Sequence, residues 1–260
     1  TFMAIEERAH ETGYEIFVAQ TLNDPNREEA CIRRLLARQV DGLFIRPVYR
    51  PDPTAAIYNE LKERKTPTII LGHRALFCSD FPNVETDDIA ASQKATEHLL
   101  DLGHYRIACL TGPTFAPWAQ ERYVGYSRAL RERHIDVYEN LIFQAGSTIE
   151  EGAVAALQMI DEDPKATALV AANDLVAIGA ASTLLDQGMM IPDNISVVGF
   201  GNTLTAEHFR VPLTTISQPK YRRGVAAMES MEKLLSGEHA SFKRLPAELV
   251  IRKSTGARPD

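Results

Sequence analysis

Short apolar runs recur along the chain, each separated from the next by a stretch with helical spacing. The runs at 14–19 (YEIFVA), 42–45 (GLFI), 68–71 (TIIL), 106–110 (RIACL), 140–143 (NLIF), 168–171 (ALVA) and 195–200 (ISVVGF) are four to six residues long and read as strands. Residues 2–11, the stretch after Asp24, and residues 53–64, 88–102, 119–133, 148–160 and 174–187 read as helices. Punctuation supports the boundaries. Gly13, Gly103 and Gly188 stand where helices end, because glycine accepts the left-handed C′ conformation cheaply. Asp24-Pro25 and Asp52-Pro53 each read as an N-cap followed by proline at the first helical position. Thr148 and Glu151 have the spacing of a capping box.

Strands this short and apolar, alternating with helices, are buried on both faces of a parallel sheet. The expected fold class is therefore α/β and doubly wound. In such sheets ligands bind beyond the carboxyl ends of the strands. That rule selects Arg46, His73, the loop 112–118, Ser147, Asn173 and Gly201 as candidate contacts.

Composition then bounds the function. A chain of 260 residues is long enough for two α/β lobes. The hydrophobic fraction of 45% supplies a sizeable core. A net charge of −7, with no run of Lys and Arg, argues against a nucleic-acid face on this stretch, since phosphate neutralisation dominates such binding. Three cysteines, Cys31, Cys78 and Cys109, show no CxxC spacing. This points away from a disulfide framework or zinc site and toward a reducing cytoplasm. The seven histidines are scattered, and neither a metal nor a cofactor is expected. No apolar run approaches the roughly 18 residues of a membrane span. There is no G-x-S-x-G elbow, no phosphate loop of the G-x-x-x-x-G-K-[ST] type, and no third glycine after Gly199 and Gly201. The reading is a binding protein, not an enzyme. Thr1-Phe2-Met3 lies inside the first expected helix, so a preceding segment is expected.

Several motifs carry a family resemblance. Residues 172–180 (ANDLVAIGA), Gly188, Ile191-Pro192 and the run at 195–200 together resemble the effector-binding domain of the lactose/galactose repressor (LacI/GalR) family. Further matches are Val40-Asp41-Gly42-Leu43, residues 98–104 with Arg106-Ile107, Arg122 with Gly125-Tyr126, residues 212–216, and 249–252 with Ser254-Thr255. The resemblance implies two lobes like those of sugar-binding periplasmic proteins (type I), with three inter-lobe crossings near residues 88, 216 and 239. The N-terminal lobe would comprise 1–87 plus 218–237 and the C-terminal lobe 88–215 plus 240–260, with the ligand cleft between them. It also implies a homodimer, with 219–236 and 208–211 at the contact. Operator DNA would be held by an N-terminal helix-turn-helix headpiece outside this sequence. The alternative is a periplasmic sugar-binding protein of a transporter, which shares the fold.

The resemblance also weighs individual residues. Arg122 stands where the family places a ligand-contacting arginine, whose planar fork suits adjacent hydroxyls or a carboxylate. The other reading is a salt bridge to Glu121 or Glu132. Asn173 either caps the following helix, presents its amide to ligand, or both. Asp174 fits the helix dipole. Trp118, the sole tryptophan, is expected in a loop, stacked on a sugar face or packed in the core. His73 and Arg46 follow their strands and either meet ligand or face solvent. Gln218 lies at the last crossing. Gly201 stands where the family has an aspartate, and Ser147 where an aromatic ring is common. These departures suggest a ligand different from the familiar sugars, one with acidic character.

Overall fold

The computed structural model of the chain describes residues 1–162 and 165–259. In chain order its elements are α1 (Phe2–Glu11), α2 (Pro25–Ala37), β1 (Leu43–Ile45), α3 (Ala56–Glu63), β2 (Thr68–Leu71), β3 (Asn83–Thr86), α4 (Asp88–Asp101), β4 (Ile107–Thr111), α5 (Pro117–Glu132) and β5 (Ile142–Gln144). There follow α6 (Ile149–Glu162), β6 (Ala168–Ala171), α7 (Asp174–Asp186), β7 (Ser196–Phe200), α8 (Leu204–Glu207), β8 (Thr214–Ser217), α9 (Lys220–Leu235), β9 (Lys243–Leu245) and β10 (Glu248–Val250). The chain divides into two compact units. Unit 1 comprises Thr1–Thr86 and Pro219–Leu245, and unit 2 comprises Asp87–Gln218 and Pro246–Asp260, of which Asp260 lies outside the described residues.

Unit 1 is built on a sheet of order β1-β2-β3-β9, parallel throughout. Neighbouring residues of β2 serve opposite faces. Ile70 packs with Ile32 of α2 and with Ile57 and Leu61 of α3, whereas Ile69 packs with Ile5 of α1 and with Met228 and Met231 of α9. Asp24 caps α2 by accepting from the Asn26 N–H at 2.9 Å, and Pro25 opens the helix. Gly13, at φ +82°, follows α1 and lets the Tyr14 N–H reach back to the Ala9 carbonyl at 2.8 Å.

Unit 2 has the order β10-β8-β7-β6-β4-β5. Five strands are parallel, and β10 is antiparallel to β8, so the second sheet is not wholly parallel. Alternation along β4 again divides the core. Ile107 and Cys109 pack with Leu99 of α4 and Tyr126 and Leu130 of α5. Ala108 and Leu110 pack with Ala155 of α6 and with Ala177 and Leu184 of α7. Helices on both faces of each sheet define a doubly wound α/β fold.

The helix pairs pack closely because glycine stands at each contact. A Cβ on Gly125 would meet the Ile89 carbonyl of α4 at 2.3 Å, and one on Gly179 would meet the Ile149 carbonyl of α6 at 1.9 Å. Two motif glycines, in R-x-x-G-Y and ND-x-x-A-x-G, thus serve packing. The cysteines Cys31, Cys78 and Cys109 are free and buried.

Several expectations are corrected. Residues 14–19 form no strand, because no strand among the described residues pairs with them and Phe17 and Val18 stay exposed. An apolar run becomes a strand only when a neighbour takes up its N–H and C=O groups. Asp52 caps no helix. Its carboxylate accepts from the Thr54 N–H and hydroxyl, both at 2.8 Å, which closes a local turn, and α3 starts later at Ala56. Asn83–Thr86 forms a further strand, β3, although its buried Asn83 and Glu85 leave it without an apolar run. Residues 240–242, expected with the second lobe, belong to unit 1, as does β9, which pairs in parallel with β3. The unit boundaries fall at 86/87, 218/219 and 245/246.

Candidate functional site

The carboxyl ends of β4, β6 and β7 gather the most distinctive side chains of unit 2. Arg122 rises from α5, which opens at Pro117. Its Nε and Nη2 both donate to Asp88 Oδ2, at 3.0 and 2.8 Å, and its Nη1 donates to the carbonyl of Ala172, just past β6. The guanidinium carbon lies over the Phe200 ring, 3.5 Å from the centroid, and 4.6 Å from the Trp118 ring centroid. Asp88 is fully buried, and the Arg122 side chain is 13% exposed. The guanidinium is therefore ion-paired with Asp88. The other oxygen, Asp88 Oδ1, has no hydrogen-bond partner among the described residues.

The position of Asp88 follows from the helix it opens. Asp87 caps α4 by accepting from the Ala90 N–H at 3.1 Å, which places Asp88 in the first turn beside α5. The close contact at Gly125 brings Arg122, one turn earlier, within reach of that carboxylate. Ser92 fixes the same crossing by donating to the Arg122 carbonyl at 2.6 Å. A recess beside the guanidinium is lined by Thr111, Gly112, Tyr123, Ala172 and Phe200.

Trp118 lies in the first turn of α5 rather than in a loop, since Pro117 starts the helix early. Its ring is half-buried and lies over Gly112, where a Cβ would come within 2.5 Å of the indole. Asn173 uses both ends of its amide. Its Oδ1 accepts from the Val176 N–H at 2.9 Å, capping α7, and its Nδ2 donates to the Ser147 carbonyl at 3.1 Å. Ser147 precedes α6, and its N–H donates to Glu151 Oε2 at 2.8 Å. The capping box is complete, because the Glu151 N–H donates to Thr148 Oγ1 at 3.2 Å. The Ser147 N–H and the Thr148 N–H, which donates to Glu151 Oε2 at 2.9 Å, hold the Glu151 carboxyl below the usual carboxylate range.

Gly201 is buried at φ +142°, a conformation that side chains rarely adopt. A Cβ there would stand 3.2 Å from Asp174 Oδ2. Asp174 is itself 1% exposed and accepts from the Thr203 N–H at 2.7 Å and the Thr215 hydroxyl at 2.5 Å. It does more than meet the helix dipole, because it ties the start of α7 to β8 and to the loop after β7. Gln218 is half-buried and directly follows β8.

Two expected residues belong to unit 1. Arg46 directly follows β1 and is exposed. His73 lies just past β2, is buried, and its carbonyl accepts from the Tyr49 hydroxyl at 2.8 Å. Sequence reasoning missed Asp88 and Phe200 as partners of Arg122. The one signal was the acidic pair Asp87-Asp88 at a helix start.

No helix of the described residues is long and apolar enough to cross a membrane. Largely parallel sheets wound on both faces in two units, with polar groups gathered past the strand ends, define a periplasmic-binding-protein-like fold. Residues 96–255 match the family model described as a periplasmic binding protein-like domain. The chain is 31% identical over 255 residues to the HTH-type transcriptional regulator DegA of Bacillus subtilis (strain 168), covering 97% of this chain and 75% of that protein. It is 30% identical over 257 residues to the HTH-type transcriptional repressor CytR of Escherichia coli (strain K12), covering 98% and 74% respectively. Its fold superposes on that of the transcriptional regulator CelR in its cellobiose complex with a TM-score of 0.87 at 26% identity, covering 97% of this chain and 77% of that one. The chain belongs to the LacI family of transcriptional regulators.

Proposed function

We propose that this chain is the effector-binding and dimerisation core of a DNA-binding transcriptional repressor that senses a small polar ligand, a sugar or sugar derivative. The observation that carries this reading is the Arg122 cluster at the carboxyl ends of β4, β6 and β7, where guanidinium, aromatic rings and backbone carbonyl converge beside a recess. Rings bind flat apolar sugar faces, while polar groups at strand ends orient hydroxyls. The regulators DegA and CytR support the class, and the cellobiose bound to CelR supports the ligand type. The role is binding rather than catalysis, in the cytoplasm.

Arg122 and Trp118 are the principal ligand contacts in this reading. Asn173, Ser147, Gly201 and Gln218 supply further polar surface in unit 2, and Arg46 and His73 are the candidates of unit 1. Ligand shifts the regulator between states only by its difference in affinity for them. A second copy packs against α9, where Tyr221 is exposed, and against 208–211. Operator DNA is contacted through a segment outside this sequence.

A thermal-shift screen of sugars, sugar acids, polyols and nucleobases tests the reading, because a ligand of the folded state stabilises it by mass action. At least one sugar or sugar derivative should raise the melting temperature in a concentration-dependent manner. A screen in which only non-sugar compounds do so overturns the ligand assignment.

A further inference from the structure

We propose that the unit 2 site selects an uncharged ligand, and that Asp88 sets this selectivity by holding the charge of Arg122. The inference rests on the ligand-binding reading above and reverses the acidic character suggested by the sequence. An exposed arginine at a strand end attracts anions, and its fork grips carboxylate or phosphate in bidentate fashion. Arg122 is not in that state. Its Nε and Nη2 converge on one oxygen of a carboxylate with no solvent exposure, and its Nη1 goes to a backbone carbonyl. The edge that would grip an incoming anion already grips Asp88.

The ion pair of Arg122 with the unexposed Asp88 carries no net charge. An arriving anion must shed its water and finds no net positive charge in return, which leaves its desolvation uncompensated. A hydroxyl or amide sheds far less and is satisfied by one or two hydrogen bonds. The half-buried Trp118 ring against the same guanidinium favours a ring with an apolar face over a compact ion.

Calorimetric titration of matched pairs tests the proposal: methyl glucoside against methyl glucuronide, cellobiose against cellobionate, cytidine against cytidine monophosphate, with inorganic phosphate as the bare anion. The wild-type protein should bind the neutral member of any pair at least about tenfold more tightly, and should give no heat with phosphate. Asp88→Asn removes the charge but keeps the shape, and should gain phosphate affinity by about tenfold or more; Asp88→Ser is the second variant if the first does not fold. A charged member that binds the wild type more tightly, phosphate binding by the wild type, or a folded Asp88 variant with no gain for phosphate overturns the proposal. If no pair member binds the wild type while the Asp88 variant gains phosphate, charge selectivity stands and the sugar reading fails.

Discussion

Arg122 and Asp88, 34 residues apart in sequence, form an ion pair at 2.8 Å in which the carboxylate is wholly buried and the guanidinium nearly so. The residue best placed to meet ligand is thus also a structural one. Removing one partner of a buried pair leaves a charge without compensation, which costs about 3–5 kcal/mol. Exposed pairs such as Lys62 with Asp80 are worth at most about 1 kcal/mol.

Arg122→Ala should therefore destabilise the protein markedly as well as impair binding. Urea unfolding should show a midpoint well below wild type, and Arg122→Ala combined with Asp88→Asn should recover part of the loss. A wild-type midpoint in the single variant would contradict the buried pair.

Gly179→Ala should weaken unit 2 by about 1–3 kcal/mol or more, as overpacking of a tight contact does. Its Cβ would meet backbone, the Ile149 carbonyl at 1.9 Å, so α6 and α7 would have to separate. A lowered melting temperature checks this. The exposed Val154 of α6, replaced by Ala, serves as the control and should melt like wild type.

Stability should fall as pH drops below about 6.5. His98 meets Thr255 Oγ1 at 3.0 Å, and His104 meets Thr167 Oγ1 and the Gly256 carbonyl, both at 3.0 Å. Burial lowers the pKa of both from the ordinary value of 6.5, and Arg258 lowers that of His104 further. Between the lowered folded values and 6.5 the unfolded chain binds more protons than the native one, so stability rises with pH there and is lost on acidification through that window. Urea midpoints measured from pH 7.5 down to 5.5 should decline, and the decline should shrink in His98→Gln/His104→Gln.

The periodic elements of this chain were legible because their signals are local. Asp24-Pro25, the Thr148–Glu151 box and the apolar runs at 68–71 and 168–171 each act within a turn or a strand, and the structure shows them at those positions. What depends on a distant partner was not legible. Residues 14–19 have the composition of a strand but no ladder to join, and β3 hides Asn83 and Glu85 in a buried strand where Asn83 Nδ2 donates to Glu85 at 2.8 Å. The same limit applies to the site. Arg122 could be singled out by its motif, but the carboxylate that holds it comes from another helix, and nothing near Arg122 in sequence announces Asp88.

The most direct measurement is a titration of the wild type and Arg122→Lys with whichever sugar gives the largest thermal shift, followed by heat and by the emission of Trp118, the sole tryptophan. Lysine keeps a positive charge for Asp88 but loses the planar fork and its stacking on Phe200. Ligand should change the Trp118 emission, and Arg122→Lys should weaken binding by at least about tenfold, about 1.4 kcal/mol. Equal affinity in the two proteins, with an unchanged Trp118 signal, would contradict the assignment of this cluster as the effector site.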